Sequence, residues 1–310
     1  MSRPELPLIS LVVPVFNEED SIDQFLKTVE QVTAGENCKW EFVFINDGSQ
    51  DNTLAVLRAA KLRNPAVKIL SLSRNFGKEA ATTAGLDHAT GDAVIPIDVD
   101  LQDPPELIGQ FIARWRSGAE VVYGVRSSRE SDGAIKRATA RIFYRFFNAI
   151  SQTKIPFNAG DYRLMDRRVV DEIGKMRERS RFMKGIMAWP GFRSESIEFV
   201  RQKRAAGGTS WNYWKLWNFA LDGITSFSTL PLRVWVYLGA VIAMLAFLYV
   251  IFIIVDSIVV GSVPGYPSLM AAVMFFGGVQ LLSIGLVGEY VGRIFHETKG
   301  RPIYIIETIE

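Results

Sequence analysis

The sequence predicts an α/β protein with a mostly parallel sheet, followed by two membrane-crossing helices. Three observations predict it. Short apolar runs rich in Val and Ile alternate with helix-length segments from residue 8 to residue 125. Polar punctuation falls where each run ends: Asn17-Glu18, Asn46-Asp47, Arg74, Asp98-Asp100 and Arg126. Beyond residue 230 the chain turns strongly apolar, in two stretches each long enough to cross a hydrocarbon core of about 30 Å.

Leu8 to Val15 is a near-continuous apolar run, the pattern of a strand buried on both faces. Ser21 with Gln24 predicts a capping box and a helix to about Val32. Trp40 to Ile45 is a second strand, ending in the turn Asn46-Asp47-Gly48-Ser49. A helix is expected from about Asn52 to Leu62, and a third strand from Val67 to Leu72. That strand runs out through Ser73-Arg74-Asn75-Phe76-Gly77-Lys78, and an Ala- and Thr-rich helix follows to about Ala89. Ala93 to Ile97 is a fourth strand, Pro104 to Trp115 a helix, and Glu120 to Val125 a fifth strand. In a parallel sheet the strands' carboxyl ends share one edge, where open α/β sheets bind their ligands.

The most informative stretch on that edge is Asp98-Val99-Asp100-Leu101-Gln102-Asp103-Pro104-Pro105-Glu106. If the chain stays extended, Asp98, Asp100 and Gln102 lie on one side, because side chains repeat every second residue. Two carboxylates and an amide oxygen suit a hard divalent cation that also holds phosphate, Mg²⁺ or Mn²⁺. The competing reading is a solvated acidic turn that caps a helix, with Asp103 as N-cap, Pro104 at the first helical position and Glu106 at the third.

Composition removes several alternatives. A formal net charge of +2 over 310 residues gives no reason to expect a nucleic-acid partner. One cysteine, Cys38, cannot form an internal disulfide, which fits a reducing compartment. No Gly-x-Gly-x-x-Gly follows the first strand, and no Gly-x-x-x-x-Gly-Lys-Ser/Thr occurs, so dinucleotide-binding and P-loop readings lose support. No His/Cys cluster has zinc spacing, and His88 and His296 stand apart and read as non-catalytic. The first seven residues do not read as a signal peptide.

Pro14-Val15-Phe16-Asn17-Glu18, Asn46-Asp47-Gly48-Ser49 and the Asp-x-Asp-x-Gln-x-Pro-Pro-Glu string resemble family 2 glycosyltransferases of the GT-A fold. The subgroup they resemble most is the polyisoprenyl-phosphate glycosyltransferases, which include dolichol-phosphate mannose synthase and bactoprenol glucosyl transferases. The resemblance covers nearly the whole chain. It implies a Rossmann-like GT-A domain over residues 1–200, a basic loop and interface helices over 201–231, two transmembrane helices over 232–291 and a cytoplasmic tail over 292–310.

It also implies roles. Pro14, Phe16 and Glu18 would line the nucleotide, and Asp47 would accept from the base, which suits the N3–H of uracil. Asp98 would sit near ribose and sugar, while Asp100 and Gln102, with Asp98, would hold the metal bridging the diphosphate. Lys78 and Arg204 are further candidates for the nucleotide sugar. Arg126 and Arg163 would contact the phosphate of a lipid acceptor. Asp161 would act as a base, orient an arginine or bind sugar. Arg129, Lys136 and Arg137 read equally well as a solvated helix face.

The implied reaction is transfer of one hexose, with UDP-glucose the favoured donor, to undecaprenyl phosphate on the cytoplasmic leaflet, inverting the anomeric carbon and requiring metal. Two competitors stay open. A processive polysaccharide synthase would carry Gln-x-x-Arg-Trp and more spans, but Arg201-Gln202-Lys203-Arg204-Ala205 has no Trp in place. A non-catalytic scaffold of the same fold would not need an intact Asp98, Asp100 and Gln102.

Val234 to Val255 contains no charge, and Ser268 to Gly288 has Gln280 as its polar interruption. The loop between them lacks Lys and Arg, whereas Arg201, Lys203, Arg204, Lys215 and Arg233 precede the spans and Arg293, Lys299 and Arg301 follow them. The positive-inside rule then sets a multi-pass protein of the inner (cytoplasmic) membrane, with its catalytic domain and both termini cytoplasmic. Trp211, Trp214, Leu216 and Trp217 with Lys215 predict an amphipathic interface helix. Glu289 and Arg293 are spaced to pair across one helical turn. Gly277-Gly278, Gly285 and Gly288 would let helices approach closely, within one chain or between copies. The resemblance implies a homo-oligomer, a tetramer, and, downstream, a flippase and a periplasmic glycosyltransferase. The tail from Arg301 to Glu307 alternates weakly, as a strand returning to the soluble domain would.

Overall fold

The computed structural model describes residues 3–126, 159–179, 181–199 and 265–310, together with scattered positions between 237 and 252. Eight strands form one sheet in the order β7-β5-β6-β4-β1-β2-β3-β8. These are β1 (Leu8–Val15), β2 (Lys39–Asn46), β3 (Val67–Leu72), β4 (Ala93–Pro96), β5 (Val121–Arg126), β6 (Ala159–Asp166), β7 (Ser194–Phe199) and β8 (Ile306–Ile309). β1 pairs in parallel with β2 and β4, β2 with β3, and β5 with β7. β6 runs antiparallel between β4 and β5, and β8 runs antiparallel along β3. The reversal of β6 brings its first residues, Ala159 to Asp161, to the edge where β1 to β5 end.

Helices cover both faces, as parallel strands require. On one face lie α1 (Ile22–Thr33), α2 (Thr53–Arg63) and α4 (Leu107–Arg116). They pack Ile22, Phe25, Leu57, Ile108 and Phe111 onto Ile9, Leu11 and Val13 of β1. On the other lie α3 (Lys78–His88), α5 (Arg167–Lys175) and α6 (Met183–Ala188), packing Ala81, Val169 and Ile186 onto Val12 and Val43. The Ala-rich composition of α3 has a packing reason. A Cβ added at Gly85 would stand 2.3 Å from Val12 Cγ1 and 2.6 Å from Ile45 Cδ1. α3 therefore lies unusually close to the sheet, and its first residue, Lys78, is held at the strand ends.

Two local expectations change. The helix after the acidic stretch starts at Leu107, with Glu106 as its N-cap residue, not at Pro104 behind Asp103. Pro105 disfavours helical geometry at Pro104, so residues 104–106 form a turn whose Pro104 carbonyl accepts from Leu107 N. The capping box at α1 does not form: Ser21 already has helical dihedrals, and its hydroxyl donates back to Glu18 Oε2 at 2.8 Å.

A 33-residue helix, α7 (Tyr266–Thr298), contains the expected second span. At 1.5 Å per residue it is about 50 Å long. Among the described residues it supplies the one segment long and apolar enough to cross a membrane, Phe275–Thr298. Val234 to Val255 lies largely outside the described residues; the ten positions described there are helical and mostly exposed. The expected pair between Arg293 and Glu289 is made at 2.7 Å. The tail returns as expected, with β8 adding an edge to β3.

Candidate active site

The loops at the strand ends are tied to one another before any ligand is considered. Asn17, with φ +55°, ends β1; its amide donates to Ser49 Oγ at 3.0 Å, and its side-chain oxygen accepts from Gln50 N at 2.9 Å. Glu18 N donates to Thr53 Oγ1 at 2.9 Å. Gly48, at φ +68°, packs so tightly on the next loop that a Cβ there would stand 2.5 Å from Arg74 C and Asn75 N. Only glycine fits that position without moving backbone.

Asp47 is buried, and its carboxylate accepts from Phe76 N at 2.7 Å and Gly77 N at 2.9 Å. Burial pushes its carboxyl up from the ordinary value, while the two amides and Arg74 pull it back. Asp47 thus fastens the β3–α3 loop, a task the sequence reading did not foresee.

The acidic stretch is a turn and not a continued strand. β4 ends at Pro96, residues 99 and 100 turn, and Leu101 has φ +54°. The expected single face of Asp98, Asp100 and Gln102 is therefore not made by extended geometry. Asp98 and Asp100 reach the cavity, whereas Gln102 is buried outside its lining and its backbone N–H donates to Asp100 Oδ1 at 3.1 Å. Tyr162 on β6 donates to the Pro104 carbonyl at 3.1 Å and locks the turn against the sheet.

A cavity of about 300 Å³ opens at this edge, with Pro14, Phe16, Glu18, Asp47, Lys78, Asp98 and Asp100 in its lining. These are seven of the residues expected from sequence, drawn from β1, β2, α3 and the β4 turn. Asn75, Gly77 and Ala81 also line it and were missed. The Gly77-Lys78 pair, at a strand end before an Ala-rich helix, was the available signal. A second cavity of about 500 Å³ shares Phe16 and Asn75, and adds Arg58, Arg74, Glu307 and Thr308.

Lys78 is the electrostatic centre. Its ammonium lies 2.6 Å from Asp98 Oδ1 and 4.0 Å from Asp161 Oδ2. Burial alone would depress it, but Asp98 and Asp161 outweigh burial and hold it well above the ordinary lysine range. Arg163 lies two residues further along β6, is buried, and donates to the Gly160 carbonyl at 2.7 Å. It stands within the sheet and is not part of the cavity lining. Arg126 is the last residue of β5, and Arg204, Arg129, Lys136, Arg137 and the interface helix lie outside what the structure describes.

Glu79 is a group the sequence reading missed. Burial first, then the charge of Asp161, pushes its carboxyl up to about 7, against Lys78, Lys184 and Arg181. A carboxyl raised in the fold binds more protons folded than unfolded, so it removes stability as pH rises from about 4.5 to about 7. Glu79→Gln is expected to leave thermal stability at about pH 4 nearly unchanged and to raise it at about pH 8, by on the order of 1–3 kcal/mol. Calorimetric melts of both proteins across that range check the sign.

Comparison with known proteins agrees with this geometry. A family model described as Glycosyl transferase family 2 matches residues 10–174, and one described as GtrB C-terminal hairpin matches residues 230–294. The chain is 54% identical over 303 residues to the prophage bactoprenol glucosyl transferase homolog of Escherichia coli (strain K12), covering 97% of this chain and 99% of that protein. It is 54% identical over 301 residues to the bactoprenol glucosyl transferase of Shigella phage SfX, with the same shares covered. The mannosyltransferase PcManGT from Pyrobaculum calidifontis, solved with GDP-Man and Mn²⁺, superposes with a TM-score of 0.50 at 16% identity over 94% of this chain and 88% of that one, a likeness of fold. The sheet, the cavity at its carboxyl edge and these matches together mean that the chain belongs to glycosyl transferase family 2 and is a glycosyltransferase with a GT-A-like fold.

Proposed function

We propose that the protein transfers a single glucose from UDP-glucose to a polyprenyl phosphate, undecaprenyl phosphate in a bacterial membrane, at the cytoplasmic surface. The observation that carries this reading is the 54% identity, over nearly the full length of both chains, to bactoprenol glucosyl transferases. The cavity supports it with a chemistry suited to a nucleoside diphosphate sugar. Phe16 and Pro14 offer apolar surface for base and ribose, Asp98 and Asp100 face the diphosphate end, and Lys78 supplies a fixed positive charge beside them.

Asp98 and Asp100 line the cavity with hard oxygen donors of the kind Mg²⁺ or Mn²⁺ takes. Among the described residues no third His, Cys, Asp or Glu joins them, and Lys78 engages both Asp98 oxygens, so Asp100 would be the first ligand, with Asp98 and the buried Gln102 as further candidates. When bound, such an ion offsets the negative charge that builds on the departing phosphate. The chain's own groups do the rest. Lys78 orients Asp98 and keeps Asp98 and Asp161 from repelling each other. The acceptor phosphate is already anionic at neutral pH and needs no general base, so the protein's task is to bring it to the anomeric carbon opposite the nucleotide. A bond from a lipid phosphate oxygen to that carbon forms as the bond to the donor diphosphate breaks, which inverts its configuration and releases UDP. Arg126 and Arg163 remain our candidates for the acceptor side, Arg163 acting from behind Asp161, with Arg204 closing over the phosphates.

In this reading α7 and the segment from Val234 to Val255 form a two-helix membrane anchor, with both termini cytoplasmic. The same reading extends to a homotetramer that hands its product to a flippase and a periplasmic glycosyltransferase. Titration of the purified protein with UDP and GDP, with and without Mn²⁺, tests the donor class. Binding of UDP that requires Mn²⁺ and exceeds binding of GDP is expected; no UDP binding under any condition would contradict the proposal.

A further inference from the structure

The chain beyond α7 makes contacts that a simple membrane anchor does not need. Arg179, in the loop after α5, clamps the end of the long helix: its amide donates to Glu297 Oε1 at 2.7 Å, its Nη1 to the Glu297 carbonyl, and its Nε to the Arg301 carbonyl at 2.6 Å. Gly300, at φ +63°, turns the chain away from the helix axis. Tyr304 then donates to Asp87 Oδ2 at 2.7 Å, an oxygen that also receives Arg177 Nη1 at 2.7 Å, and its ring meets His88 edge-on. Ser73 N donates to the Ile305 carbonyl at 3.0 Å, β8 pairs along β3, and Arg58 holds the last residue, Glu310, through both carboxylate oxygens.

Each docking point leads to the site. Asp87 and His88 are the last turn of α3, and Lys78 is its first residue. Arg179 is followed within five residues by Arg181 and Lys184, whose charges act on Glu79 beside Asp161. β8 lies along the strand whose exit loop is fastened by Asp47. The chain between Arg301, held by Arg179, and docked Tyr304 is short: three residue steps reach about 10 Å at full extension. The apolar surface of Phe275–Thr298 is unburied in the fold and calls for lipid.

We propose that residues 297–310 are a brace that fixes the height and tilt of the donor cavity above the membrane, so that a lipid-embedded phosphate meets the sugar donor. The brace is a positioning element: it touches neither donor nor acceptor. The inference rests on the proposed transfer to a polyprenyl phosphate.

The test uses the full-length protein in lipid vesicles. One variant inserts Gly-Ser-Gly-Ser after Pro302, between the Arg179 clamp and docked Tyr304, which lengthens the strap and leaves every contact residue in place. A second combines Arg179→Ala with Tyr304→Phe. Three quantities are measured: KM for undecaprenyl phosphate, transfer to a water-soluble short-chain isoprenoid phosphate, and the Kd of UDP with Mn²⁺. Both variants are expected to raise KM for the long-chain acceptor at least tenfold, with short-chain transfer and UDP affinity within twofold of wild type. A parallel loss in all three, with KM raised, short-chain transfer lowered and the Kd of UDP raised together, would make the tail a folding element only, and unchanged long-chain KM would remove its role; either result overturns the brace. Wild-type protein that transfers to neither acceptor would contradict the proposed function itself, and the brace with it.

Discussion

Asp100→Ala is expected to lower sugar transfer by about 10³-fold or more while the fold melts within a few degrees of wild type. Loss of a group that offsets charge on a departing oxyanion costs roughly 10²–10³ in turnover, and loss of a bound ion costs several kcal/mol of transition-state stabilisation. The fold has little at stake. Asp100 is only half-buried, in the turn after β4, and the amide of Gln102 that it caps lies in a turn held independently by Tyr162. Activity and a thermal melt on one preparation decide the matter: normal turnover in Asp100→Ala would remove Asp100 from the proposed metal site. Excess Mn²⁺ is expected to restore little, because the missing oxygen is a ligand and not a gate.

Lys78→Met should lower turnover by about 10²-fold or more, for a different reason. Its ammonium is shared by Asp98 at 2.6 Å and Asp161 at 4.0 Å. Removing it leaves the carboxylates of Asp98 and Asp161 without the cation they share and would deprive the proposed donor diphosphate of a fixed positive charge. Methionine keeps most of the apolar stem, so α3 should still pack through Ala81 and Ala84. Lys78→Arg is expected to recover part of the rate, because it restores the charge but not the compact shape. Equal loss in both variants would point to a steric role instead, and full activity in Lys78→Met would remove Lys78 from the site.

Much of this was legible in the sequence. β1 and β3 were expected with the bounds they have, because strands buried on both faces read as unbroken apolar runs. Seven expected site residues line one cavity, because the carboxyl ends of parallel strands share one edge whatever the intervening helices do. What was not legible depends on contacts distant in sequence. The insertion of β6 between β4 and β5 cannot be read from local pattern, yet it brings Asp161 to Lys78. The part Asp47 plays in fastening the β3–α3 loop follows from a segment thirty residues away. The turn at Leu101 defeated the extended reading of the acidic stretch, because a positive φ at leucine is set by the fold around it and has no signature in composition. Glu79 was overlooked because its environment, and not its spacing, makes it unusual.

The most direct test of the central claim is transfer of label from UDP-[¹⁴C]glucose to undecaprenyl phosphate by the purified protein in detergent with Mg²⁺ or Mn²⁺. A panel of other UDP- and GDP-sugars is run beside it, each donor with and without EDTA. One glucose per lipid is expected, from UDP-glucose in preference to the other donors, and no labelled lipid once EDTA is present. Labelled polymer formed from donor alone, or no labelled lipid from any donor, would contradict it.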